Sequence, residues 1–157
     1  MKGNRTHLIR ATPKVLTCLI RSSRTKGDRM ADTGKIARKL FDAVVSRDVA
    51  TIQSLQAEDI VVHAPGKNQL SGTRKGMAEV GASLAKMDSL TDGTLKRELH
   101  DITSSDTHAV VLARITAQRG GKSFSYNSAV LLDIRDGKVA EQWMLNDDQE
   151  TVDQLFA

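Results

Sequence analysis

The segment AVVLARITAQRGGKSFSYNSAVLLDIRDGKVAEQWML, Ala109 to Leu145, decides the fold class. Ala109 to Ala117 is a strong apolar strand, and the Gly120–Gly121 pair that follows reads as a tight hairpin turn. Phe124 to Ile134 is the returning strand. Asp136–Gly137 signals a second hairpin, and Lys138 to Leu145 returns once more. The result is an antiparallel meander.

Upstream of it the period changes. Thr91–Asp92–Gly93 starts a strand that runs through Ile102, and Ser104 to Asp106 forms the turn into the meander. Before that, the spacing predicts helices. From Thr33, the residues Ile36, Leu40, Ala43 and Val44 recur on one face while Lys35, Arg38, Lys39 and Asp42 lie off it. Asp48 is placed to cap a second, shorter helix that buries Val49, Ile52 and Leu55. A short strand, Ile60 to Ala64, stops at the turn dipeptide Pro65–Gly66. A third helix spans about Arg74 to Met87, with Met77, Val80, Leu84 and Met87 on one face. Downstream of the meander, Asp148 caps a closing helix that presents Val152, Leu155 and Phe156. The order α-α-β-α-β-β-β-β-α describes an α+β domain with helices packed on the concave face of a strongly curved antiparallel sheet. Such a sheet encloses a cavity between its layers, where small ligands bind.

The chain has 157 residues, 39% of them hydrophobic and 27% charged, which suits one globular domain. No run approaches the roughly 18 apolar residues of a membrane span. Aromatic residues make up only 3%, too few for a base-stacking platform. The net charge of +4 is unevenly distributed: residues 1–29 hold eight basic side chains and one acid, whereas Met30 to Ala157 hold 15 basic and 18 acidic residues. A basic leader, residues 1–29, therefore precedes a mildly acidic domain, residues 30–157, and no nucleic-acid partner is expected for the latter. The leader, rich in Arg, Lys, Ser and Thr, reads either as an organelle transit peptide or as sequence ahead of a start at Met30, and disorder is expected in it. The second alternative implies a cytoplasmic protein. The one cysteine, Cys18, lies in the leader, so neither an intramolecular disulfide nor a thiolate metal site is expected. The histidines are scattered without HxH or HxxxH spacing, and neither metal nor cofactor is expected.

HisAlaProGlyLysAsnGlnLeuSerGly at 63–72, ArgLysGlyMet at 74–77 and AspGlyLysValAlaGluGlnTrp at 136–143, with Asp147 and Asp148 after them, resemble the SnoaL-like branch of the nuclear transport factor 2-like superfamily. The resemblance covers roughly Thr33 to Ala157. It implies a conical sheet closed by helices and a homodimer formed through the outer sheet face. The superfamily includes ketosteroid isomerases, polyketide cyclases, dehydratases, epoxide hydrolases and non-catalytic binding proteins, so the fold alone names no activity.

Regular alternation along the last strand puts Val139, Glu141, Trp143, Leu145 and Asp147 on one face. If that face lines the cavity, burial beside the Trp143 indole raises the Asp147 pKa and suits it to proton transfer next to a carbonyl. Cyclases that this sequence resembles use a carboxylate shortly after such a tryptophan, which points to Asp147. The alternative is a solvated carboxylate at a strand end. His63 is expected at the cavity mouth, donating to a carbonyl or exchanging protons, or else bonded to backbone in the following loop. Trp143, Glu141, Tyr126 and Asn127 are the candidate substrate contacts. The first helix has no tyrosine, so the steroid isomerase arrangement of an Asp base with a Tyr and a protonated Asp is not reproduced. The expected function is a cofactor-independent proton-transfer enzyme of isomerase, cyclase or lyase type acting on a small apolar carbonyl or related compound. A non-catalytic ligand-binding or dimeric accessory protein is the alternative.

Overall fold

In the computed structural model, residues 26–157 are described. Most of the basic leader lies outside them, and with it the expectation of disorder there. Helix α1 (Lys26–Ser46) already spans Met30, so that position is not an element boundary. Ala37, Leu40 and Ala43 are buried along one face of α1, with Ile36 and Val44 packed beside them, as the helical spacing predicts. Helix α2 (Val49–Leu55) is capped by Asp48, whose carboxylate accepts from the Thr51 N–H at 3.0 Å and the Thr51 hydroxyl at 2.6 Å. Ile52 is its buried residue; Val49, expected inside, is 60% exposed.

Strand β1 (Gln56–Ala64) follows α2 without a loop and is longer than the Ile60–Ala64 segment expected. After the Pro65–Gly66 turn, a short strand β2 (Gly72–Lys75) pairs antiparallel with β1. Arg74 and Lys75 thus belong to a strand rather than to the helix, and α3 (Gly76–Leu90) begins at Gly76, whose φ of +79° ends the extended run. The meander comprises β3 (Lys96–Ser104), β4 (His108–Arg119), β5 (Lys122–Arg135) and β6 (Lys138–Asn146), and α4 (Gln149–Leu155) closes the chain. Thr91 to Gly93 form a turn, and β3 starts later than expected.

The six strands form one sheet in the order β2-β1-β6-β5-β4-β3. The hairpins are in the expected register, with Leu112 opposite Ala129 and Leu131 opposite Trp143. One pairing departs from an all-antiparallel sheet. β1 lies parallel to β6, with His63 opposite Trp143, so the sheet is mixed. A parallel pair needs a crossover, and here α3 with the first three meander strands provides it.

Helix α1 packs on β3 and β4, and α3 packs on β1. Between them and the concave sheet face lies the main core, including Leu40, Ile60, Val62, Val80, Val111 and Leu132. A second cluster of Leu70, Ala117, Val152, Leu155 and Phe156 fastens α4 to one end of the sheet. The loop after β1 makes that attachment. Asp153 of α4 accepts from the Lys67 N–H at 3.0 Å, the Asn68 amide at 2.6 Å and the Gln149 amide at 2.9 Å. Gly66 passes so close, at a φ of +102°, that any Cβ there would collide with the Asp153 carboxylate. The 63–72 motif is thus architectural: it docks the closing helix. Among the described residues no helix is long and apolar enough to cross a membrane.

Candidate functional site

The concave face, α1, α3 and α4 leave a cavity of about 170 Å³. Apolar cavities of about 150 Å³ are already large enough to take up a whole aromatic molecule, so this one has room for a small organic ligand. Leu40, Phe41, Val111, Ile115, Val130 and Met144 are among the apolar residues of its wall. Its polar groups include Gln56, Gln142, Asn146, Tyr126, Arg74 and Arg97, and no aspartate, glutamate or histidine lines it among the described residues. A wider hollow of about 630 Å³ lies beside it, under α2 and α3, and Arg97 stands in the wall common to both. Arg74 on β2 and Arg97 on β3 come from opposite edges of the sheet, so the sheet curls around the cavity.

Of the residues expected at the site, Tyr126 lines the cavity. Burial raises its phenol to a pKa of about 12, against the opposing pull of the Arg97 guanidinium. The hydroxyl is therefore a neutral donor at physiological pH, and it has no hydrogen-bond partner among the described residues.

His63, Glu141, Trp143, Asn127 and Asp147 do not line the cavity; they lie on or beside the outer sheet face. The cause is a β-bulge. Ile134 pairs with Val139 and Asp133 with Glu141, leaving Ala140 as an extra residue in β6. Val139 points into the core with Ile134, but beyond the bulge the alternation is reversed. Gln142, Met144 and Asn146 then face inward, and Glu141, Trp143 and Leu145 face outward. Regular alternation from Val139 thus assigns the wrong face to every later residue of the strand.

These outer residues form a coherent cluster. The His63 ring stacks on Trp143 with centroids 5.4 Å apart and planes 15° from parallel. Its Nε2 donates to the Glu141 carboxylate at 2.7 Å, and Nδ1 of the neutral ring then accepts from the Thr73 hydroxyl at 3.1 Å. Asp147 is exposed and accepts from the Asn127 N–H at 2.8 Å and the Asn127 side-chain amide at 2.7 Å. Those bonds, the backbone one foremost, hold its carboxyl below the ordinary value rather than above it. A depressed folded-state pKa stabilises the fold above the ordinary carboxylate value, and this contribution is lost as pH falls through the depressed one. The expected raised pKa is corrected: no apolar environment surrounds Asp147. Asp148 caps α4 as expected, accepting from the Thr51-like position Thr151 N–H at 2.9 Å.

Arg97 was not legible as a site residue from local composition, but it carries a signal. It alternates with Leu95 and Leu99, both packed on the core, so a cation occupies the apolar face of its strand. Burial lowers its pKa, with the Tyr126 oxygen acting in the opposite direction. No group of three His, Cys, Asp or Glu side chains able to hold a metal lies together among the described residues.

The architecture has known counterparts. Bal32a, from a soil-derived mobile gene cassette, superposes with a TM-score of 0.79 at 25% identity, covering 82% of this chain and 99% of that one. A protein of unknown function with a cystatin-like fold from Xanthomonas campestris is 32% identical, with a TM-score of 0.76, over 80% of this chain and 98% of its own. An uncharacterized protein of Mycobacterium tuberculosis is 30% identical over 105 residues, 66% of this chain and 80% of that protein. The SnoaL-like domain model matches residues 37–142, from the first helix to the middle of the last strand. The chain belongs to the SnoaL-like domain family.

Proposed function

We propose that this protein binds a small, mostly apolar molecule in the cavity between α1, α3 and the concave sheet face, without acid–base chemistry by a carboxylate or imidazole. The observation that carries this reading is the wall itself. It is largely aliphatic and aromatic, with a few convergent polar groups, which is the composition of ligand pockets in general. Proton transfer of the isomerase, cyclase or lyase type needs a base within hydrogen-bond reach of the reacting carbon. The lining offers a phenol, guanidinium groups, amides and hydroxyls, none of which is such a base at neutral pH. The non-catalytic alternative is therefore favoured. Naphthalene-2-carboxamide, a neutral compound with two fused rings, serves as the probe, and isothermal titration calorimetry as the measurement. Saturable binding is expected, with an affinity that Asp147→Asn and His63→Gln leave unchanged within about twofold, as for surface substitutions generally. Loss of binding in either variant would place the site on the outer face instead.

The partner, besides the ligand, is a second copy of the chain. Val110, Leu112, Ala129, Leu131, Trp143 and Leu145 form an apolar band across β4, β5 and β6 on the outer face, and Leu145 is 58% exposed. A continuous apolar band of this kind on a sheet suits an isologous interface. Sedimentation equilibrium is expected to give twice the chain mass, and Leu145→Asp to give the monomer. A wild-type monomer at micromolar concentration would contradict the dimer.

A further inference from the structure

The charge balance of the cavity wall selects among apolar ligands. Two guanidinium groups, Arg74 and Arg97, line the cavity, and no carboxylate does among the described residues. Among the described residues the Arg97 guanidinium makes one hydrogen bond, from its terminal nitrogen to the Sδ of Met87 at 3.0 Å, and a thioether is a weak acceptor. The carboxylate of Asp88 at the adjoining hollow is committed to Arg47 at 2.6 Å, and this pair presents opposing charges to Arg97. The Arg74 guanidinium has no ion pair or hydrogen bond among the described residues. A guanidinium among aliphatic groups without an anion bears a desolvation cost that an entering anion would offset. Tyr126, a second donor on the same wall, has no partner for its hydroxyl among the described residues.

We infer that the ligand is a small apolar organic acid whose ionised oxygen, of carboxylate or enolate type, is held by Arg97 with Tyr126 as second donor. This deepens the proposed binding function and rests on it. The neutral amide would then be bound by its rings alone, whereas the acid would add a charge-assisted contact to the guanidinium. Arg97 is the better candidate than Arg74 because it stands on the apolar face of its strand, between the core-packed Leu95 and Leu99, and lines the cavity together with Tyr126.

The test compares 2-naphthoate with naphthalene-2-carboxamide, matched in shape and differing in charge, by calorimetry at neutral pH on the full chain. The acid is expected to bind about tenfold more tightly or better, the scale of one hydrogen bond to a charged group. In Arg97→Met the ratio of the two affinities is expected to fall to about one, and in Arg97→Lys to be partly retained. Circular dichroism and thermal melts establish that each variant is folded, and the wild-type ratio stands as a test even if one is not. Equal affinities in the wild type, or a ratio unchanged in folded Arg97→Met, would overturn the organic-acid inference and leave the cavity as a binding site. Binding of neither compound would overturn the cavity reading as well.

Discussion

Replacing Ala113 with tryptophan is expected to abolish binding of naphthalene-2-carboxamide, with at least a hundredfold loss, the scale of about 3 kcal/mol. Ala113 is buried in β4, near the middle of the sheet, and its methyl faces the cavity. An indole there would fill most of the cavity and occupy the space the probe needs. Overpacking of a well-filled core costs about 1–3 kcal/mol, but here the added ring enters space that is already empty. The variant is therefore expected to remain folded, by far-UV circular dichroism and a cooperative melt, while calorimetry detects no saturable heat. Unchanged affinity in a folded Ala113→Trp protein would show that the ligand binds elsewhere.

Ile60→Ala is expected to lower the unfolding free energy by about 2–5 kcal/mol. Ile60 has no exposed surface; it lies in β1, inside the main core with Val62, Val80 and Val139. Truncation removes buried methyl groups and leaves a void that the parallel β1–β6 pair and α3 enclose from both sides. Val45→Ala, at a position 49% exposed on α1, is the comparison and is expected to change stability by about 0.5 kcal/mol or less. Urea denaturation monitored by far-UV circular dichroism measures both. Similar effects at the two positions would contradict the packing of β1 against the helices.

The elements that repeat a period regularly were the ones legible in the sequence. The meander was set by apolar runs and by the Gly120–Gly121 and Asp136–Gly137 turns, and the first helix by Leu40 and Ala43. Local chemistry also gave both aspartate caps, Asp48 and Asp148. What escaped was long-range. Nothing local in Gly72 to Lys75 announces an edge strand, because its partner, β1, defines it. The parallel contact of β1 with β6 joins residues far apart in sequence and has no turn signal of its own.

The site was misread for a smaller reason with larger consequences. Trp143 and Asp147 do share one face, but it is the outer one; past the extra residue Ala140 it is Gln142, Met144 and Asn146 that turn to the hollow. Two consecutive buried residues, Val139 and Ala140, are the trace of the bulge, but burial is a property of the fold and not of the letters. His63 illustrates the same point. It lies one residue before the end of β1, beside the Pro65–Gly66 turn, yet the imidazole lies flat against an indole on the outer face, held by Glu141 and Thr73. Of the candidate contacts only Tyr126 lines the cavity, and on that wall it stands with Arg97 of β3, a residue with no local signal of a site.

The central claim is that ligands enter the hollow behind the sheet and leave the outer face untouched. Titration of the methyl-labelled protein with naphthalene-2-carboxamide, followed by two-dimensional NMR, tests it most directly. The expected result is a set of saturable shifts at the methyl groups of Val111, Ile115, Val130 and Met144, with the indole N–H of Trp143 unmoved. Shifts centred on Trp143 and Leu145, with the cavity methyl groups silent, would contradict the account.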